Sequence, residues 1–331
     1  MKTILVTGSS GFIGYNLIKR ILDDNSYKVI GIDNMNDYYD INLKKDRLNI
    51  LNSYNNYKFY DCDIEDINYL ESIFKIHQPS VIINLAGMAG VRASNENKKK
   101  YINTNIIGFY NILELSSKYN VDHLIYASSS SVYGNNKSTP YKEESNTDEP
   151  LSIYAATKKC DEILAYTYSN LNKLKVTGLR FFTVYGPFGR PDMAYFKFTN
   201  KLLNNEKIEV YNKGNLKRDF TYIDDIVDGI IRVINNEPKD KYNIYNIGNE
   251  HPYNLLDFIN ILKNELIKEG LLPKDYSIDN YLEYVEMQDG DVYETYSDTS
   301  KFYEDFSFKP KVSLEEGINK FVKWYKEYYK E

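Results

Sequence analysis

A chain of 331 residues is long enough for one large domain or two ordinary ones, and can bury a core without disulfide or metal staples. Its 41 basic and 47 acidic residues leave a net charge of −6, which excludes a general field for holding nucleic acid while leaving room for a local basic pocket. With 42% apolar and 27% charged residues the composition excludes disorder as the main state, and two distant cysteines, Cys62 and Cys160, exclude a disulfide scaffold and a metal site.

No apolar run approaches the eighteen or so residues of a membrane span, and the stretch Met1–Gly8 is too short for a signal peptide. A cytoplasmic protein with no membrane partner is expected. The 33 tyrosines read as a compositional bias, not as a functional signal.

In chain order, short β-branched runs predict strands at Thr3–Thr7, Lys28–Asp33, Tyr57–Asp61, Val81–Leu85, Leu124–Ser128 and Val176–Phe182. Helical patterns lie between them: Phe12–Leu22, with a stripe of Ile13, Leu17, Ile18 and Ile21, and two long helices near Lys98–Tyr119 and Ala155–Leu171. This alternation predicts βαβ units and a parallel sheet. After Gly186 the rhythm breaks at Pro187, Gly189 and Pro191, and short strands such as Ile208–Tyr211 and Tyr242–Ile247 alternate with helices. The expected division is a nucleotide-binding domain of residues 1–185 plus about 224–250, with about 186–223 and 251–331 forming a smaller substrate-binding domain.

The run Thr7-Gly8-Ser9-Ser10-Gly11-Phe12-Ile13-Gly14 ends the first strand and opens the first helix. Such glycines permit a tight turn, close approach of a pyrophosphate and close helix–sheet packing, and the helix N-terminus favours phosphate. The G-x-x-G-x-x-G spacing alone also fits an ordinary glycine-rich turn. Asp33 adds weight, because an acid ending the second strand hydrogen-bonds an adenosine ribose and repels a 2′-phosphate, favouring NAD over NADP. Asp63 and Ile64, after the third strand, are placed to meet the adenine.

Tyr154 and Lys158 stand four apart at the start of a predicted helix and so share one face. An ammonium near a phenol favours phenolate, which makes Tyr154 a candidate general base toward a sugar hydroxyl. Among so many tyrosines the spacing also arises by chance. Ser128-Ser129-Ser130-Ser131, at the carboxyl end of the fifth strand, offer hydroxyls where open α/β sheets bind ligands, or form a plain serine-rich turn.

Together these residues resemble the extended short-chain dehydrogenase/reductases that modify nucleotide sugars, over nearly the whole chain. The resemblance is strongest to the UDP-glucuronate 4-epimerase branch, through Asp33-Asn34-Met35-Asn36-Asp37-Tyr38-Tyr39-Asp40, Arg180–Met193 and Lys217–Asp225. It implies a Rossmann-type doubly wound parallel α/β sheet and NAD as cofactor. It implies catalytic roles for Ser129, Tyr154 and Lys158. Cofactor contacts are implied for Gly8, Gly11, Phe12, Ile13, Gly14, Asp33, Asn34, Asn36, Asp63, Ile64, Leu85, Ala86, Asn105, Tyr154, Lys158 and Phe181. The nucleotide sugar is implied to meet Met88, Arg92, Ser130, Ser131, Thr183 and Arg190, with Arg218 on the diphosphate and Asp291, in Asp289-Gly290-Asp291, on the uridine ribose. An arginine also suits that task on bidentate geometry alone. The two long helices occupy positions through which family members form a four-helix homodimer.

The implied chemistry begins with Tyr154 taking a proton from the sugar 4-hydroxyl, and oxidation at carbon 4 gives a transient 4-keto sugar. An epimerase returns the hydrogen to the other face, whereas a 4,6-dehydratase expels water across carbons 5 and 6. Retaining dehydratases of the family carry an Asp-Glu pair where this chain has Ser130 and Ser131, which favours epimerisation. One departure points the other way. The family's His-Leu-Ala-Ala-Gln-Ala-Gly-Val-Arg reads Asn84-Leu85-Ala86-Gly87-Met88-Ala89-Gly90-Val91-Arg92 here. A dehydratase of UDP-N-acetylhexosamine inverting carbon 5 is therefore the alternative, with a decarboxylating enzyme and a catalytically dead scaffold behind it. His77, His123 and His251 are scattered, and helix-capping or surface roles are expected for His77 and His123.

Overall fold

The computed structural model describes residues 2–287 and 290–330, so Met1 and Asp289 lie outside the described residues. In chain order the first part runs β1 (Lys2–Thr7), α1 (Phe12–Asp23), β2 (Tyr27–Asp33), α2 (Ile41–Leu51), β3 (Tyr57–Asp61), α3 (Ile67–His77), β4 (Val81–Asn84), α4 (Val91–Glu96) and α5 (Lys98–Tyr101). A π-helical segment, Ile102–Gly108, leads into α6 (Phe109–Lys118), then β5 (His123–Ser129), α7 (Ile153–Asn172), β6 (Val176–Phe181) and β7 (Thr183–Tyr185). The remainder comprises α8 (Ala194–Leu203), β8 (Ile208–Tyr211), β9 (Lys217–Tyr222), α9 (Ile223–Asn235), β10 (Tyr242–Ile247) and β11 (Pro252–Asn254). It ends with α10 (Leu255–Lys268), β12 (Leu282–Val285), α11 (Ser300–Phe306) and α12 (Leu314–Tyr329).

Seven strands form one sheet in the order β10-β6-β5-β4-β1-β2-β3, every neighbouring pair parallel. The period-two alternation of β1 explains how the sheet is buried on both faces. Ile4 and Val6 join the core containing Ile18 of α1 and Ile226 of α9, whereas Leu5 joins Phe74 of α3 and Ile112 of α6 on the other side. This is the expected doubly wound α/β architecture. Strand order reverses between β1 and β4, and ligands of such sheets bind beyond the carboxyl ends at that reversal. There Thr7 Oγ1 donates to Asn84 Oδ1 at 2.6 Å and accepts from Ala86 N–H at 3.1 Å, locking the two strand ends together.

The predicted strands fall within a residue or so of those formed. The helix expected across Lys98–Tyr119 is instead interrupted by a π-helical turn that carries Asn105. Two smaller sheets, β11-β9-β7 and β12-β8, cover the carboxyl edge. Only Phe182 separates β6 of the large sheet from β7 of the small one.

Candidate active site

A cleft of about 760 Å³ runs along the carboxyl edge and is lined by every anticipated site residue except Asn105. Its first wall is the glycine-rich turn. Gly8 has φ +69°, and a Cβ there would stand 2.8 Å from Ala86 N; a Cβ on Gly14 would meet Gly8 O at 2.1 Å. No side chain caps α1, so its first N–H groups are free for an anion. Uncapped donors at a turn that admits no side chain fit the diphosphate of NAD.

Asp33 is held ready beside this turn. Its Oδ2 accepts from Ser10 N–H at 3.0 Å and its Oδ1 from Met35 N–H at 2.9 Å. Lys44 lies 3.6 Å from Oδ1 and donates to Asn36 Oδ1 at 3.1 Å; burial pulls its ammonium below the ordinary lysine range, Asp33 opposing. Sequence reasoning missed Lys44, although a lysine on the helix following an acidic strand end is a visible signal. Asn34 Nδ2 donates to Asp63 Oδ2 at 2.8 Å, so these two residues brace one another in the cleft wall.

Helix α7 presents the reactive pair. Ser152 Oγ accepts from Ala155 N–H at 3.1 Å, fixing the helix start, and Tyr154 and Lys158 follow one turn apart on the cleft face. Lys158 Nζ donates to Ala127 O at 3.0 Å and to Asp161 Oδ2 at 3.2 Å. The Tyr154 ring packs edge-on against Tyr101, with centroids 6.4 Å apart. At the end of β5, Ser129 Oγ accepts from Ser131 Oγ at 2.8 Å and from Ser131 N–H at 3.1 Å.

The four hydroxyls do not act as one set. Ser128 Oγ donates to Glu162 Oε1 at 2.6 Å, and Glu162 also receives Arg180 Nε and Nη2, each at 2.8 Å, in a buried cluster beneath the site. Asn105 likewise faces away from the cleft. Its side chain accepts from Met88 N–H at 2.7 Å and donates to Met88 O at 3.0 Å and Thr157 Oγ1 at 2.9 Å, so it anchors the loop from behind.

The far end of the cleft is cationic. Arg190 pairs with Asp192, Nε to Oδ1 at 3.0 Å, and donates to Ala89 O at 3.2 Å. Ala89 O also accepts from the Tyr101 hydroxyl at 3.2 Å. Asp291 stands between Arg218 at 3.4 Å and Arg92 at 3.5 Å. Burial draws the Arg218 guanidinium below its ordinary value, with Asp291 resisting.

No histidine lines this cleft. His123 corrects the sequence reading: it is the first residue of β5 and fully buried, its Nε2 2.8 Å from Thr177 Oγ1. Desolvation lowers it to about 4. His77 does end α3, bonded to the Tyr60 hydroxyl at 2.7 Å.

Among known proteins, the model of the NAD dependent epimerase/dehydratase family matches residues 4–248. Protein CapI of Staphylococcus aureus is 47% identical over 99% of both chains. A probable UDP-glucuronate 4-epimerase of Rhizobium meliloti is 39% identical, covering 98% of this chain and 97% of its own. The crystal structure of a UDP-glucuronic acid 4-epimerase of Bacillus cereus, in complex with UDP-glucuronic acid and NAD, superposes with a TM-score of 0.89 at 31% identity, covering 99% of this chain and 100% of that one. The glycine-rich turn, Asp33 and the Tyr154–Lys158 face thus sit in a chain that belongs to the NAD dependent epimerase/dehydratase family.

Proposed function

We propose that this protein is an NAD-dependent UDP-glucuronate 4-epimerase. The observation that carries the reading is one continuous cleft. It joins an NAD-shaped turn to a Tyr–Lys pair and then to a cationic end built from Arg92, Arg190 and Arg218, with serines where a dehydratase has carboxylates. The similarity to enzymes named for that activity supports the same substrate.

Tyr154 takes the proton from the sugar 4-hydroxyl, and Lys158, fixed by Ala127 O and Asp161, holds positive charge where the phenolate forms. Ser129 orients that hydroxyl. Bound NAD supplies a reversible two-electron acceptor for the hydrogen on carbon 4. Gly8, Gly11, Phe12, Ile13 and Gly14 receive its diphosphate, and Asp33, Asn34, Asn36, Asp63 and Ile64 its adenosine end. Leu85, Ala86 and Phe181 close around the nicotinamide end, while Asn105 steadies the loop behind it. Ser130, Ser131, Thr183 and Arg190 clamp the uronate, beside Met88 and Arg92. Arg218 takes the sugar diphosphate and Asp291 the uridine ribose. Returning the hydrogen to the opposite face requires the keto sugar to turn while its diphosphate stays anchored, and no external reductant is consumed.

The 4,6-dehydratase reading draws on the departures gathered in the loop from Asn84 to Ala93, among them the thioether of buried Met88, which lines the cleft. Incubation with UDP-glucuronate and with UDP-N-acetylglucosamine, without reductant, separates the two by chromatography and mass spectrometry. A new peak of unchanged mass from UDP-glucuronate is expected. Loss of one water from UDP-N-acetylglucosamine, with UDP-glucuronate untouched, refutes the proposal. Tyr154→Phe should abolish turnover while NAD still binds.

We read residues 1–185 with about 224–250 as the cofactor lobe and the rest as the substrate lobe, on the ground that β10 completes the large sheet. A homodimer through α6 and α7 is supported by Ile107, Tyr110, Ile163 and Tyr166, apolar side chains 40–55% exposed on those helices and the adjoining turn. A monomer mass by light scattering at micromolar concentration would remove it. Among the described residues no helix is long and apolar enough to cross a membrane; a cytoplasmic location remains part of this proposal.

A further inference from the structure

Helix α2 carries an arginine that the chemistry above does not use. Arg47 is completely buried. Its Nη1 donates to Ser10 O at 2.9 Å and to the Tyr39 hydroxyl at 2.7 Å. Its Nη2 donates to Phe188 O at 2.6 Å and to Gly189 O at 3.2 Å. None of these acceptors is a carboxylate, and Nε has no hydrogen-bond partner. A buried cation held only by neutral oxygens and the face of the Tyr39 ring, 5.5 Å from its centroid, is expensive, and it leaves positive potential unspent beneath the glycine-rich turn.

The backbone acceptors belong to two segments distant in sequence, the glycine-rich turn and the stretch that leads into Arg190. Ser10 is in the turn, and its own N–H is the one that orients Asp33. Phe188 and Gly189 immediately precede Arg190, and Phe188, at φ +53°, is wedged between Tyr15 of α1 and Trp324 of α12. A guanidinium is a rigid planar fork whose two ends can serve both segments at once, which a lysine cannot do. The neighbouring Asp46 accepts the Tyr328 hydroxyl of α12, so α2 grips the second lobe at two successive residues.

We propose that Arg47 is a positioning residue coupling the two halves of the site: a diphosphate on the glycine-rich turn and a nucleotide held beyond Phe188–Gly189 each tighten the binding of the other. The first ligand offsets the unpaired charge and fixes Ser10 O, which fixes the fork and with it the backbone leading into Arg190. The proposal rests on the reading that the turn holds NAD and the Arg190 end holds a UDP-sugar.

Calorimetric titration tests it. UDP-glucuronate is titrated into the protein with and without saturating NAD, and NAD with and without UDP-glucuronate, since the coupling must be reciprocal. In the wild type each ligand should tighten the other by about 5- to 150-fold, the usual range for coupled sites. Arg47→Met and Arg47→Lys should each bring the factor to about one while both ligands still bind to a cooperatively melting protein. A merely structural arginine would change Tm and leave the factor alone. Wild-type protein that binds both ligands without coupling overturns the proposal, as does a folded Arg47→Lys with full coupling; the lysine variant decides should Arg47→Met fail to fold. Failure of the functional reading looks different, because the wild type would then fail to bind NAD or UDP-glucuronate at all.

Discussion

Asp161→Asn should make the protein more stable above pH 7. Burial is the first cause that raises the Asp161 carboxyl from 3.8 to about 7; Lys158 opposes it and Glu162 adds repulsion. One carboxyl oxygen meets Lys158 Nζ at 3.2 Å, and the other has no partner. A displacement of about three units at about 1.4 kcal/mol each amounts to about 4 kcal/mol. Between pH 3.8 and 7 the native state keeps a proton the unfolded chain has lost, so stability falls as pH rises through that window and the whole cost is present above it. The amide cannot ionise and keeps an oxygen for Lys158. The variant should therefore differ from wild type by under about 1 kcal/mol at pH 4 and exceed it by about 2–4 kcal/mol at pH 8, allowing for local relaxation. Urea unfolding of both proteins at pH 4, 6 and 8 reads this directly. A difference that stays flat across pH, or a variant less stable at pH 8, would refute the reasoning. If it holds, Asp161 is a carboxylate kept beside the reactive lysine at the expense of the fold.

Three further outcomes are expected. Glu162→Leu leaves the buried Arg180 guanidinium without its two 2.8 Å bonds and should cost about 3–5 kcal/mol, read as a lowered urea midpoint; an unchanged midpoint would contradict the buried pair. Gly14→Ala drives a Cβ to within 2.1 Å of Gly8 O, so NAD affinity measured by calorimetry should fall at least tenfold, and wild-type affinity would show that the turn has slack. His123, lowered to about 4 by desolvation, is neutral in the fold but takes a proton when unfolded below about pH 6.5, so its contribution is lost as pH falls from 6.5 to 4. His123→Gln should recover about 2–3 kcal/mol at pH 4 relative to its effect at pH 7, and equal urea midpoint shifts at both pH values would show that the ring is not the acid-sensitive group.

The sheet was legible because strands such as Tyr57–Asp61 and Tyr242–Ile247 announce themselves by β-branched and aromatic runs between turn residues. The glycine-rich turn, Asp33 and the Tyr154–Lys158 pair were legible because each must occupy a fixed place along the chain. Features made by contacts between distant segments were not. Apolar spacing cannot distinguish an α-helical from a π-helical turn, so the break in the expected Lys98–Tyr119 helix and the grip of the Asn105 amide on Met88 were not visible in it. His123 begins a strand in the sequence, but only its place in the middle of a seven-stranded sheet buries it. Arg47 joins partners 37 and 142 positions away, and no local pattern encodes that.

The junction between β6 and β7 has a consequence of its own. Phe181 and Thr183 both line the cleft, the first at the proposed cofactor half and the second at the proposed sugar half, and Phe182 between them is pinned by its N–H donating to Ile247 O at 3.2 Å. Two residues of extended chain span about 7 Å. The separation between these two walls is therefore a covalent ruler, fixed by bond lengths and indifferent to how the surrounding side chains repack. A new sugar can be accommodated by changing which groups project from the ruler, but the gauge between the oxidising and the recognising half of the site stays the same.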